Sequence, residues 1–388
     1  MECSVSVSIR INRLEQKDTN KTSTLRFDAV AGTVAQLSLK KSPSRYSQVG
    51  SPNYSFPKTP FDGVFKPGVG NEDLYHLATQ AIVLGSLQGT HGAIICYGQT
   101  RSGKTHTMGG IVTMAIHDIF SHIKAHGNRQ WEVKVCIIEV YDEHIRDLQH
   151  RNGFGGDIQI IEDEKEGIVM QGANDVIVRS EIEALEVFRM GNSNRTRAVS
   201  TNVEHHPRST IIHKVHIQSQ PKSPNGKECI AQLANLYLVD LAGSEAALKC
   251  SPEDRSQNVS RDGESHKAMQ SLNGVVTALS SDELRGMVRY EDSVLTRILA
   301  PAFGGNCKCA AICHILEDDE SHRETWNTLQ FASRVRKVVN TPTINQLHSE
   351  PSGGVDLTSS SKADFISSNH LDNASPTASK HKHGTRQQ

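Results

Sequence analysis

Nowhere in the 388 residues is there a run of about 18 apolar residues, so no membrane-spanning helix is expected. The N-terminal stretch MECSVSVSIRINRLEQ lacks the continuous apolar segment of a secretory signal. Neither sign of charge is in excess: 42 Lys and Arg stand against 43 Asp and Glu. A nucleic-acid-binding chain would show a basic surplus, so no nucleic acid is expected as a partner. There is no heptad pattern and no internal repeat, which leaves no coiled coil to pair two copies; a monomer is expected. The eight cysteines show no CxxC spacing, and reduced intracellular thiols are expected. The tightest group, Cys307, Cys309 and Cys313 in CKCAAIC, lies in an apolar stretch that reads as a buried strand. Small thiols pack there as hydrophobes.

What is present is enough for one large domain. Hydrophobic residues make up 36% and charged residues 22%, a globular balance. VSVSIRI alternates as a first strand, and GAIICYG (92–98) is a buried strand. Residues 38–60 read as an exposed connection. WEVKVCIIEVYDEHIRDL (131–148) reads as a strand followed by a short helical segment. EIEALEVFRMGNSNR reads as an amphipathic helix with Ile182, Leu185 and Phe188 on its apolar side. IIHKVHIQSQ and IAQLANLYLVDLAGS read as adjacent strands, the second largely buried. SHKAMQSLNGVVTALSS is helical, CAAICHIL is a strand, and HRETWNTLQFASRVRKVV closes the domain as a helix. After about residue 341 the chain is rich in Ser, Asn, Gly and Pro. It cannot bury enough surface to offset its ordering entropy, so it reads as disordered. The expected division is therefore 1–340 and 341–388.

Gly98-Gln99-Thr100-Arg101-Ser102-Gly103-Lys104-Thr105 fits G-x-x-x-x-G-K-[ST] without a gap. The glycines let backbone N–H groups turn inward around phosphates. Lys104 reaches the outer phosphates, and the Thr105 hydroxyl ligates Mg²⁺. The loop follows a buried strand and leads into a helix whose N-terminus also favours anions, the context such a motif needs. Arg101 occupies a variable position, where a side chain can point outward; it reads as tolerated variation. LYLVDLAGSE (236–245) has the form of a Walker B strand. Asp240 would hold the water shell of Mg²⁺, and Gly243 offers a backbone N–H toward a γ-phosphate. No guanine-reading N-K-x-D motif is present, which argues against a GTPase.

Together, CYGQTRSGKTHTM (96–108) and LVDLAGSE resemble the kinesin motor domain. FDGVF (61–65), AIHDIF (115–120), IEVYDEHIRDL (138–148), LTRILAPAFGGN (295–306) and NTLQFASR (327–334) agree in the same order. The resemblance covers about residues 4 to 345. LQFASRVRKVVNTPTIN and GIVTMAIHDIF are most similar to the CENP-E-like, or kinesin-7, branch. The resemblance implies a P-loop NTPase of α/β class, with a central, mostly parallel, twisted sheet and helices on both faces. It implies ATP or ADP with Mg²⁺ at the sheet edge and microtubules (tubulin) on the opposite face, in the cytoplasm and on the cytoskeleton. Arg10, Gly98 to Thr105 and His106 are the implied nucleotide contacts. Asp240, Gly243, Glu245 and Arg208 are the implied catalytic group, with Thr105 and, through water, Asp240 at the metal. In the family an ion pair between the two switches, here Arg208 with Glu245, closes the site. The resemblance also implies that hydrolysis is coupled to docking of the segment after the last helix, here about residues 337–346.

Departures from the family pattern fall on named positions. The first strand usually ends V-R-V-R-P; here Arg10 remains, but Asn12 and Arg13 replace the second arginine and the proline. The first switch, N-x-x-S-S-R-S-H, aligns with Val203 to Thr210, which puts Val203 at the asparagine and Pro207 at the second serine. Pro207 has neither hydroxyl nor N–H, so sensing of the γ-phosphate, and with it hydrolysis, is expected to be weakened. The tubulin-facing Y-R-D-S-K-L-T-R becomes Tyr290 to Arg297, with Glu291 and Val294 replacing two cations; Lys249 and Arg255 restore some positive charge. The chain between Met108 and Ala115 is shorter than in relatives, trimming a loop beside the nucleotide. The implied function is an ATP-binding microtubule motor domain with weakened activity. The alternative is a non-enzymatic, nucleotide-dependent binding module.

Overall fold

The computed structural model describes residues 2–12, 25–28, 32–36, 60–150, 158–163, 167–199, 209–222, 230–247, 263–318 and 320–348. Its centre is a ten-stranded sheet. In chain order the strands are β1 (Ser6–Asn12), β2 (Gly63–Phe65), β3 (Gly92–Gly98), β4 (Arg129–Tyr141), β5 (His144–Asp147), β6 (Val176–Val178), β7 (Thr210–Pro221), β8 (Ile230–Asp240), β9 (Lys308–Leu316) and β10 (Gln346–His348). Their spatial order is β6-β4-β7-β8-β3-β9-β1-β2, with β5 added on β4 and β10 on β8. From β8 to β2 the neighbours run parallel. From β8 outward through β7 and β4 to β6 they run antiparallel. The sheet is therefore mixed, and the glycine loop leaves its parallel half.

Strand periodicity sorts the side chains onto two cores. On β3, Ala93, Ile95 and Tyr97 join one core, while Ile94 and Cys96 join the other. On β8, Tyr237 and Val239 face the first core, and Leu236 and Leu238 face the second. Helices α3 (Gly263–Leu279), α4 (Val294–Leu299) and α5 (His322–Val335) cover the first face. Helices α1 (Lys104–Ala125) and α2 (Glu181–Val199) cover the second, together with helical turns over 71–86. Cys307, Cys309 and Cys313 lie buried in the first core, packed as hydrophobes. The trimmed region between Met108 and Ala115 is not a loop: α1 runs through it unbroken.

Two local expectations are corrected. The segment after the 131–148 strand is not helical. Asp142 and Glu143 have φ of 55° and 59°, and β5 turns back on β4 with Tyr141 opposite His144. This is a two-residue hairpin turn with left-handed geometry at both central positions, which matches the twist of the flanking strands. On α2, Ile182 is 80% exposed and does not belong to the inner face. The fully buried face is Ala184, Val187 and Phe188, with Leu185 partly buried beside it. Gly191 continues that face, because a Cβ there would press on Ile137.

The chain after α5 stays on the domain through residue 348. Val339–Asn340 pairs with Cys3–Ser4, and β10 pairs with β8. Asn345 exchanges backbone bonds with Gly89 and Leu233, and its side chain donates to Gly89 O at 2.9 Å. One compact unit spans Met1–Ser349; later residues, and most of 38–60, lie outside the described residues.

The hairpin turn also secures the segment of Glu291 and Val294. Glu143 accepts from Ser293 Oγ and from Val294 N, both at 2.8 Å, and Ser293 caps α4 by accepting from Leu295 N. Glu143→Ala should lower stability by about 1.5–3 kcal/mol, the range for hydrogen bonds to a charged group. Glu143→Gly loses the same bonds but suits the positive φ, so it should be less destabilised than the alanine variant by about 1 kcal/mol. Urea unfolding of both variants measures the difference.

Candidate nucleotide-binding site

The sequence sets β3, the loop and α1 in direct succession, and backbone geometry shapes the loop. Gly98 has φ 141°, and a Cβ there would collide with His314 O on β9; Gly103 has φ 97°. Between them Ser102 N and Oγ donate to Gln99 O at 3.3 and 2.7 Å, which closes the turn. Arg101 has φ 66° and an exposed side chain. Its outward direction agrees with the sequence reading, but its backbone sits in the left-handed region that costs a non-glycine residue.

Lys104 is buried, and its Nζ donates to Gly98 O and Gln99 O at 2.8 Å each. Burial pushes its ammonium below the usual lysine range, opposed by the nearby Asp240 and Glu245 carboxylates. Thr105 Oγ1 donates to Asp240 Oδ2 at 2.6 Å. Glu245 accepts from both Thr100 N, at 3.0 Å, and Thr100 Oγ1. Gly243 lies between these last two residues, so closely that a Cβ would overlap both. The expected group of Thr105, Asp240, Gly243 and Glu245 is thus assembled against the loop. Arg208, Val203 and Pro207 lie outside the described residues, as do Lys249 and Arg255.

Arg10 and His106 meet through Asn71. Arg10 Nη1 donates to Asn71 Oδ1 at 2.5 Å and to Thr107 Oγ1 at 2.6 Å, and Nη2 donates to Val69 O at 3.0 Å. Asn71 Nδ2 donates to His106 O at 3.1 Å, while the His106 side chain is exposed. His314, fully buried on β9, lies 2.8 Å from Thr107 Oγ1, and burial takes its pKa down to about 3. A polar network therefore underlies the first turn of α1.

Three residues of this site had no motif to announce them. Arg195 on α2 places Nη1 3.5 Å from Asp240 Oδ2 and Nη2 3.4 Å from Ser209 Oγ. His213 on β7 shares the sheet face of Asp240. His314 is the third. Each is a polar residue at a buried phase of its element, and that phase is the only signal a sequence carries.

The residues fit a nucleotide phosphate chain with a divalent cation. Loop glycines, a lysine at the helix start and a hydroxyl–carboxylate pair are the donor set this ligand takes. Asp240 Oδ1 is buried and has no hydrogen-bond partner among the described residues, so the carboxylate retains an oxygen for a hydrated cation. Among the described residues no helix is long and apolar enough to cross a membrane.

A family model described as the kinesin motor domain matches residues 9–338. The kinesin-like protein KIN-7O of Arabidopsis thaliana is 34% identical over 325 residues, covering 79% of this chain and 25% of that protein. The kinesin heavy chain of Drosophila melanogaster is 35% identical over 300 residues, covering 74% and 29%. A solved structure described as "Structure of a fast kinesin: Implications for ATPase mechanism and interactions with microtubules" is similar at a TM-score of 0.75 and 27% identity, covering 89% of this chain and 94% of that one. The chain thus spans about a quarter of the length of these two curated relatives.

Arg101 gives a stability prediction. Arg101→Gly should raise the unfolding free energy by about 0.5–1 kcal/mol, because glycine adopts the positive φ without the steric cost, less its own chain entropy. Denaturant titration of both proteins reads the change; a loss would mean the arginine side chain stabilises the loop.

Proposed function

The chain belongs to the kinesin motor-domain family, and we propose that it is an ATP-binding microtubule motor domain whose hydrolysis and filament affinity are weakened. The observation that carries the proposal is the unbroken loop from Gly98 to Thr105, with Lys104 buried at its mouth and Thr105 joined to Asp240. Lys104 and the loop N–H groups hold the phosphates. Thr105 and, through water, Asp240 would hold Mg²⁺, which would supply positive charge against the phosphates. Gly243 N–H and Glu245 stand where the outer phosphate would be sensed, and Arg208 is the proposed partner of Glu245. Val203 and Pro207 lack the polar groups that stabilise transferred charge, which is the reason to expect slow turnover.

The kinesin-7 branch is the proposed placement, supported by LQFASRVRKVVNTPTIN and by relatives named KIN-7O and KIN-7N. A cytoplasmic, microtubule-associated location goes with it. Val203 and Pro207 also favour a second reading, a pseudo-motor that holds nucleotide without turning it over. Phosphate release by the purified chain, with and without microtubules, separates the two. Stimulation supports the motor; nucleotide binding with no release in either condition supports the pseudo-motor.

Two predictions follow from the site and from the loop of Glu291. Lys104→Ala should weaken ADP binding by about 1.5–3 kcal/mol, roughly 10- to 150-fold, as for a lost charge-assisted contact. Equal titration curves would remove Lys104 from the site. Glu291 is exposed, and Val294 is half-buried, so a lysine there can lay its stem on the same apolar surface. Glu291→Arg with Val294→Lys should tighten microtubule binding by about tenfold at low salt, given about 0.2–1 kcal/mol per partly exposed contact. The gain should shrink toward 0.15 M salt, where the Debye length is about 8 Å. Co-sedimentation at two salt concentrations measures it, and no gain at either would place the filament surface elsewhere.

A further inference from the structure

Among the described residues, Asp240 and His213 each leave one buried polar atom without a partner, and the two residues line one cavity. Asp240 is 4% exposed and His213 is 5% exposed. Asp240 Oδ2 serves Thr105 and Arg195, while Oδ1 has no hydrogen-bond partner. The His213 ring lies with Nδ1 3.3 Å from Leu238 O, across the β7–β8 register that pairs His213 with Leu238. A carbonyl only accepts, so Nδ1 carries the hydrogen and Nε2 keeps its lone pair. That Nε2 is buried and unpartnered.

Strand parity puts the two groups on the same face. Asp240 pairs with Ile211, two residues from His213, so His213 is its diagonal neighbour, the spacing at which long side chains on one face interact. Thr105, Val112, Phe188, Arg195, His213 and Asp240 line the shared cavity between α1, α2 and the sheet. Phe188 fixes the imidazole edge-on, with ring centroids 5.3 Å apart at 66°. The cavity lining thus holds an imidazole with a free acceptor nitrogen and a carboxylate with a free oxygen. Arg195 and Thr105, the donors nearest Asp240, are engaged at its Oδ2, and a water in the cavity can donate a hydrogen to each of the two remaining acceptors. Such a water keeps its oxygen lone pairs directed away from both acceptors, which is what a cation's hydration shell requires.

We infer that His213 is a positioning residue of the metal–phosphate site: with Asp240 Oδ1 it holds a water of the hydration shell of the cation that Thr105 and Asp240 bind. The inference rests on the nucleotide-binding reading above. Outer-shell partners of this kind orient the groups that touch the metal, and their loss commonly costs 10–100-fold in metal affinity.

The test uses the full chain loaded with N-methylanthraniloyl-ADP, with probe dissociation followed across free Mg²⁺ concentrations and in EDTA. His213→Phe and His213→Leu fill the slot beside Phe188 without a lone pair; His213→Gln keeps an acceptor. The apolar variants should need about tenfold more Mg²⁺ to retain the probe, with dissociation in EDTA unchanged within about twofold. Glutamine should return the Mg²⁺ midpoint to within about threefold of the original protein. An unshifted midpoint in either folded apolar variant, even with a lowered unfolding temperature, would assign His213 to packing alone and overturn the inference. Equal acceleration with Mg²⁺ and in EDTA would overturn it as well. If the unsubstituted chain retains the probe equally with and without Mg²⁺, the metal-site reading itself fails. That outcome is distinct from an unshifted variant.

Discussion

The site depends on a single buried carboxylate. Asp240 ends β8 at 4% exposure, where an ionised group is costly unless it is partnered. Thr105 brings the start of α1 to it, and Arg195 brings α2. The same residue is fixed on both sides by the sheet, opposite Cys96 on β3 and Ile211 on β7. A slip of one residue in β8 would turn Asp240 to the other face, away from both partners, and would exchange every side chain between the two cores. The register of the central strands and the position of the loop are therefore one requirement. Leu236 and Leu238 meet it by packing below, and Asp240 meets it by hydrogen bonding above.

That linkage explains which parts of the molecule could be read in the sequence. The loop was legible because its instructions are local: a strand of seven buried residues, then Gly98 and Gly103 at the positive-φ positions, then a helix. The strands of the sheet interior were legible as apolar runs. The turn at Asp142 and Glu143 was not, because neither residue is glycine or asparagine. The left-handed geometry there goes with the bonds from Ser293 and Val294, about 150 residues later, to Glu143. Ile182 was misplaced for a related reason. A helix of alternating charged and apolar residues offers several stripes, and the sheet selected the one containing Ala184, Val187 and Phe188. Arg195, His213 and His314 were hidden most completely. Both faces of β7 and β9 are covered, so these strands have no polar-out alternation against which an inward histidine would stand out.

The antiparallel half of the sheet carries a second consequence. β8 is long enough to pair with β3 through residues 236–240 and with β10 through residues 230–232. One strand thus ends at the candidate site and begins beside the segment after α5. Asn345 closes that far end on Gly89, just ahead of β3, the strand that leads into the loop. The two ends of β8 are joined by hydrogen-bonded backbone rather than by a flexible connection.

Glu245 is committed to the loop. Its two oxygens are both engaged by Thr100, one by the backbone N–H and one by the hydroxyl, with Gly243 between them where no side chain fits. A guanidinium pairs with a carboxylate best as a fork along both oxygens. Closure through Arg208, as the family pairing implies, would therefore have to draw Glu245 away from at least one Thr100 bond. On that pairing, the residue that would close the second switch is the one now holding it on the loop. Under the proposed function, closure is then a competition for one carboxylate between a donor already in place and a donor that has to arrive.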